Sequence, residues 1–190
     1  MHDSESECLC AIARLRDVRT EERRMVLSLR DSMHLVSKPE NLDESVKEVF
    51  KLMLGVNCRR AVVEGPILIT DNELEFVTGV VGFGGILTGA CVVRCGASAA
   101  IELAKHMTGA DFERVDNTVK DGIGEICNML AGAWKGKVPE LAANCGLSVP
   151  AVITGRDYNL HVQAPEFQLQ HRYCFGDSSF EVTIVCDGLK

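Results

Sequence analysis

The sequence predicts an α+β domain, an antiparallel sheet backed by a layer of helices, and three observations carry that expectation. Apolar residues recur at helical spacing in two segments, Val46 to Leu54 and Val119 to Trp134. Residues 73 to 95 are rich in Val, Ile, Leu, Thr and Cys, with Gly82-Phe-Gly-Gly85 dividing the run into two strand-like halves. Phe167, Leu169, Tyr173 and Phe175, then Phe180, Val182, Ile184 and Cys186, alternate about Gly176-Asp-Ser178, the pattern of a hairpin with one buried face. Amphipathic helices and antiparallel strand pairs each have one side to bury, and stacking the two layers satisfies both.

Residues 1 to 39 carry charges of both signs and end at Lys38-Pro39, a boundary because proline disfavours helix in the residue before it. Within this stretch Leu9, Ile12, Leu15 and Val18 fit one helical stripe, while Met25-Val-Leu-Ser-Leu29 fits a strand equally well. Residues 1–39 are therefore set apart as an N-terminal extension of open structure, and residues 40–190 as the domain. Asn41-x-x-Glu44 matches a capping box, predicting a helix that starts there, buries Val46, Val49, Phe50, Met53 and Leu54, and ends at Gly55. Residues 58 to 69 read as extended, and the two halves of 73 to 95 as a hairpin. A phosphate-cradling loop would need a helix directly after its glycines, and Ile86-Leu-Thr-Gly-Ala-Cys-Val-Val93 is a poor helix former. A short helix is predicted over about 98 to 108, ended by Gly109. A long one runs from near Asp116 to before Pro139, and residues 147 to 154 look extended.

The chain has 190 residues, 46% of them hydrophobic, enough for one full core. A formal charge of -7 argues against nucleic acid or an anionic membrane surface as partner, because phosphate binding needs clustered Lys and Arg. Nine cysteines occur at irregular spacing, Cys8 with Cys10 and Cys91 with Cys95 being the close pairs, and none is set in a CxxC. They read as reduced core residues, and none of the five histidines stands at metal-ligand spacing. The acidic start, Met1 to Glu7, is unlike a signal peptide, and no apolar run approaches the ~20 residues of a membrane span. A cytoplasmic protein is expected. No Gly-x-Ser-x-Gly elbow supports a serine hydrolase.

The candidate functional residues lie on the long helix, Asp121-Gly-Ile-Gly-Glu125-Ile-Cys-Asn128-Met-Leu-Ala-Gly132. At about 100° per residue, Asp121, Glu125, Asn128 and Gly132 fall within roughly 60° of one another. Val119, Ile123, Ile126, Cys127, Leu130 and Trp134 fall opposite, so the first four face outward as one line. Gly122, Gly124 and Ala131 flank that line, and their small side chains would let another surface come close to Glu125 and Asn128. Pro150 follows in a strand-like segment, where its missing N–H does least harm at an edge or a strand start.

Asp-x-x-x-Glu-x-x-Asn, followed some twenty residues later by Pro, resembles the signature of the CheC/CheX/FliY chemotaxis phosphatases. The resemblance covers residues 41 to 190: Glu44 to Gly55 looks like the first helix of CheX, Val77 to Gly85 like part of its central hairpin, and Ala151-Val-Ile-Thr-Gly155 follows the motif proline. One copy of the motif is similar to CheX, whereas CheC typically carries two. The resemblance implies a phosphatase acting on the aspartyl phosphate of a CheY-like response regulator. Asn128 would orient the attacking water, and Glu125 would pair with the regulator's active-site lysine. Asp121 would support docking, with Gly124 and Gly132 at the interface and Pro150 as a structural member of the motif. It also implies a homodimer, no cofactor or metal of its own, and Mg²⁺ held by the partner receiver. A non-catalytic adaptor with the same fold and docking ridge is the alternative.

Overall fold

The computed structural model describes Thr20 and residues 36–61, 75–156, 158, 160–161 and 165–189. The stripe at Leu9 to Val18, the run at Met25 to Leu29, the Cys8/Cys10 pair and most of the extended reading at 58 to 69 lie outside the described residues. The remainder is α+β, as the sequence predicts. Helix α1 spans Pro39–Met53, α2 Ala97–Thr108, α3 Asn117–Gly136 and α4 Pro139–Asn144. The strands are β1 Arg59–Arg60, β2 Phe76–Gly85, β3 Leu87–Gly96, β4 Cys145–Leu147, β5 Ala151–Gly155, β6 Phe167–Phe175 and β7 Ser178–Leu189.

All described strand pairings are antiparallel, in the order β1-β6-β7-β3-β2-β4, with β5 also on β2. The two hairpins anticipated from sequence, β2–β3 and β6–β7, join through β3 and β7 to form the centre of the sheet. The far edge of β2 is shared end to end, β4 pairing with residues 83–85 and β5 with residues 76–80. Inward residues of the sheet, among them Val77, Val81, Cys91, Val93, Phe180, Val182 and Ile184, form one core with the buried sides of α1, α2 and α3. Phe50 of α1 stacks on Phe180 with ring centroids 4.5 Å apart and meets Phe175 edge-on, an arrangement that adds directional preference to area burial.

Two local expectations are corrected, and two features are added to the reading. α1 begins at Pro39 rather than at an Asn41 cap: Lys38 is extended, and Pro39 takes the first helical position, where its absent N–H removes no bond. Met53 is 59% exposed, and Leu54 closes the last turn onto the core in its place. Gly82-Phe-Gly-Gly85 divides the run as expected, the β2–β3 ladder ending at Phe83 opposite Gly89 and the chain turning past Gly85, but Phe83, Gly84 and Gly85 also pair with Leu147, Gly146 and Cys145 and so prolong β2 beyond the hairpin ladder. The six residues of α4 begin with Pro139 itself, a helix too short for its periodicity to register.

α3 lies directly across β2. A methyl group added at Gly79 would stand 3.1 Å from Cys127 Cβ and 3.1 Å from the Ile123 carbonyl oxygen. The helix backbone thus rests on the strand where the strand has no side chain, and its outward ridge is set by that contact. Gly79→Ala should force the helix off its seat and lower stability by about 1–3 kcal/mol, measured by urea unfolding.

α1 is tied to β6 by a polar cluster beneath its first turns. Tyr173 Oη donates to Asp43 Oδ1 at 2.7 Å, His171 Nδ1 lies 3.1 Å from the same oxygen, and Arg60 bridges Asp43 Oδ2 at 3.3 Å. Burial alone would raise the Asp43 carboxyl, but the hydrogen bonds from Tyr173 and His171 and the charges of His171 and Arg60 outweigh it and hold its pKa below the ordinary value. Burial, and next the Arg60 charge, hold the His171 imidazole below its ordinary 6.5 against the pull of Asp43 and Glu40. Folding therefore favours neutral histidine: as pH falls below 6.5 the unfolded chain takes up a proton that the folded chain refuses, and stability declines. The Asp43 contribution is present above its ordinary 3.8 and is lost only as pH falls through its lower folded value. The urea midpoint should therefore drop between about pH 7.5 and 5.5, and His171→Asn should flatten that part of the profile.

Candidate functional site

α3 is built to be rigid and correctly phased. Asp116 caps it, its side chain accepting from the Val119 N–H at 3.0 Å, which satisfies one of the orphan donors of the first turn. Val119, Ile123, Ile126, Cys127, Leu130 and Trp134 are all buried, so the stripe expected from sequence faces the sheet. At the other end, Lys135 Nζ donates to the carbonyls of Ala142 and Cys145, and Lys137 pairs with Glu44 and Glu48 of α1.

The outward line is present as anticipated. Asp121 and Glu125 are exposed, while Asn128 and Gly132 are half-buried. Among the described residues, the side chains of Asp121, Glu125 and Asn128 make no hydrogen bond or ion pair within the chain, so their polar atoms face outward uncommitted. Glu125 and Asn128 stand three residues apart, which on a helix places their Cβ atoms about 5–6 Å from each other.

Each flank of this line is filled by the chain itself. Gly122 faces α2, where an added Cβ would lie 3.5 Å from Met107 Sδ and 3.8 Å from Ala104 Cβ. Gly124 is buried, and an added Cβ would lie 3.3 Å from both Pro150 and Val152. The close approach that Gly124 permits is therefore occupied by the lead-in to β5, and Ala131 is likewise buried. Gly132 remains more open, with only the end of Leu147 reaching 4.0 Å from an added Cβ. Pro150 sits immediately before β5, exposed on its outer side and packed on Gly124 by its inner side. The motif proline and the motif helix are thus in direct contact.

Residues 147–150 form a strap beside α3, from Leu147 near Gly132 to Pro150 on Gly124. By helical phase Asn128 lies about 40° from Gly124 and Glu125 about 100° from it. Asn128 is accordingly the ridge residue nearer the strap, in keeping with its half-burial, and Glu125 lies on the side away from it. The strap is anchored by Ser148, whose N–H donates to the Gly82 carbonyl and whose Oγ accepts from the Gly82 N–H, both at 2.9 Å. Sequence reading passed over Ser148 because a lone serine in a short polar-to-apolar stretch carries no periodic signal.

Chemically the ridge offers a carboxylate that can accept from a cation and, one turn away, a carboxamide that can both donate to and accept from a water. Among the described residues no three His, Cys, Asp or Glu side chains converge as a metal site. No described helix is long and apolar enough to cross a membrane.

Comparison with known proteins gives this geometry a family. The chemotaxis phosphatase CheX family matches residues 77–172, half of the chain, a span that contains the whole ridge and the strap. CheY-P phosphatase CheX of Thermotoga maritima is 25% identical over 118 residues, covering 61% of this chain and 74% of that protein. Among solved structures, CheX of Vibrio vulnificus superposes with a TM-score of 0.63 at 20% identity, covering 77% of this chain and 94% of that one. CheX in the CheX–CheY–BeF3–Mg complex of Borrelia burgdorferi superposes with a TM-score of 0.60 at 18% identity, covering 77% and 95%. With its helix-on-sheet fold shared across these structures and its central half matched by the family pattern, the chain belongs to the CheX family of chemotaxis phosphatases.

Proposed function

We propose that this protein hydrolyses the aspartyl phosphate of a CheY-like response regulator, with Asn128 orienting the attacking water and Glu125 docking the regulator's active-site lysine. The observation that carries the reading is the pair itself: Glu125 and Asn128 project from the open side of one capped, well-seated helix and are engaged by nothing else among the described residues. Family membership supports it, as do the relative named a CheY-P phosphatase and the structural neighbour solved with CheY.

The chemistry asks little covalent work of the protein. Water adds to phosphorus and the aspartyl carboxylate leaves, so catalysis consists mainly of placing the water in line and stabilising charge. A carboxamide suits the first task because it orients a water without changing its own protonation state. A single helix holding the carboxamide and the docking acid at fixed separation supplies the orientation that such a step requires. Asp121, one turn before Glu125, adds negative charge toward the same cation and serves docking rather than chemistry. Gly132 leaves room for the partner at the far end of the ridge. Mg²⁺ belongs in this scheme to the receiver's acidic pocket, with no cofactor on this chain, and the reaction takes place in the cytoplasm with the receiver.

A homodimer through the outer face of the sheet accompanies this reading. Val80, Val92 and Thr183 lie opposite one another on adjacent strands, with Ala151 beside Val80, and no described helix covers that face. Arg94 on the same face stacks its guanidinium 4.1 Å from the Phe76 ring centroid, and its buried Nε has no partner among the described residues. Val92→Glu should convert the dimer to a monomer with an unchanged far-ultraviolet circular dichroism spectrum, measured by light scattering after gel filtration.

The functional test is the decay of a phosphorylated CheY-like receiver at saturating Mg²⁺. Wild-type protein should accelerate it; Asn128→Ala should lose at least about 100-fold of that acceleration while binding the receiver within about threefold of wild type. Glu125→Ala should weaken binding about tenfold and slow turnover with it. Equal loss of affinity in the two variants would contradict the separate roles, and wild-type binding without acceleration would establish an adaptor instead.

A further inference from the structure

The strap beside Asn128 presents an apolar side chain in an unusual setting. Val149 is 86% exposed, yet its backbone is held on both sides. Before it, Ser148 grips Gly82 through its N–H and its Oγ, and the same Oγ donates to the Val149 carbonyl at 2.9 Å. After it, Pro150 restricts Val149 to extended backbone and packs on Gly124.

Strand register explains why the side chain points out. Leu147 stands opposite Phe83 and Ala151 opposite Val80, so Ser148, Val149 and Pro150 face only Val81 and Gly82. With Ser148 bonded to Gly82, Val149 and Pro150 share the place opposite Val81, one residue more than the ladder accommodates. An extra residue of this kind bends the strand and re-aims a side chain, and such features recur next to active sites. Exposing a valine forfeits burial free energy, and holding it rigidly removes much of the ordering cost that a partner would otherwise have to meet.

We propose that Val149 is a specificity-determining contact for the receiver, and that Ser148 is the positioning residue that sets it. The proposal rests on the phosphatase reading and extends it. The acids Asp121 and Glu125 lie on one side of Asn128 and the strap on the other, so the partner surface that fits carries a cation on one side of its phosphoryl site and an apolar side chain on the opposite side. Phosphoryl attack needs Asn128, whereas discrimination among receivers of similar charge rests on the fit around Val149.

The test is a titration of a beryllofluoride-loaded CheY-like receiver, paired with steady-state dephosphorylation by the full-length protein. Val149→Ser should raise both the Kd and the KM about tenfold and leave kcat within about twofold. Val149→Ile should stay within about twofold of wild type in every parameter. Ser148→Ala should raise KM several-fold at near-constant kcat, and Ser148→Thr, which keeps the hydroxyl, should recover most of the loss. Because Val149 is exposed, both Val149 variants should keep the wild-type melting temperature. A Val149→Ser protein that binds as wild type does, or that loses kcat at unchanged KM, overturns the proposal. Asn128→Ala in the same series reports on the functional reading alone, since it should lose kcat and keep Kd.

Discussion

The architecture depends on one close approach. Gly79 lets the backbone of α3 rest on β2 between Ile123 and Cys127, with no side chain interposed. Packed interiors tolerate little adjustment, so this contact fixes both the height of the helix above the sheet and its rotation about its own axis. Rotation is the quantity that matters for function: a turn of the helix by one residue's worth of phase would carry Glu125 and Asn128 from the open side toward a flank. The buried stripe from Val119 to Trp134 states the phase hydrophobically, and the Gly79 seat enforces it sterically.

Around that seat the molecule distributes its polar ties to the edges. Asp43 with His171, Tyr173 and Arg60 closes α1 onto β6, Ser178 Oγ donates to Glu102 to close α2 onto the start of β7, and Lys135 and Lys137 hold the C-terminal end of α3. The centre is apolar and aromatic, and among the described residues the side chains of Asp121, Glu125 and Asn128 make no hydrogen bond or ion pair. A site whose polar atoms are not spent on the fold can engage a partner without first breaking contacts of its own, which suits the transient encounter proposed for it.

Much of the fold was legible in the sequence, and the failures have two causes, divided local signals and contacts made far along the chain. α2 with its Gly109 terminus, α3 with its Asp116 cap, and the β6–β7 hairpin all announce themselves through local pattern, because cap, periodicity and turn lie within one segment. The start of α1 was misplaced because a plausible capping pair at Asn41 competes with a proline that can itself open the helix. The glycines at the end of β2 mark the division of the hairpin by local pattern, but their second pairing, with β4, is not legible because that strand lies far along the chain. The line of Asp121, Glu125 and Asn128 followed from phase alone. The neighbours of Gly124 did not, since nothing in the residues around it says that Pro150 and Val152 will fill the gap. At these positions tertiary contact is what the sequence withheld; at the start of α1 and in the six residues of α4 the local signal itself is divided or too short.

The shared edge of β2 has a consequence for how such a chain can change length. β4 and β5 are both registered on one continuous strand, so the number of residues between Leu147 and Ala151 is counted against Val81 and Gly82. Removing one of them would close the bulge onto an even ladder, with Val152 still inward and Ile153 still outward, but Val149 would lose the outward aim that the extra residue gives it. Connections between helices, such as the turn between α2 and α3, face no strand and carry no such count. Length variation can therefore enter those turns freely, whereas a change in the three residues from Ser148 to Pro150 alters what the bulge presents beside α3.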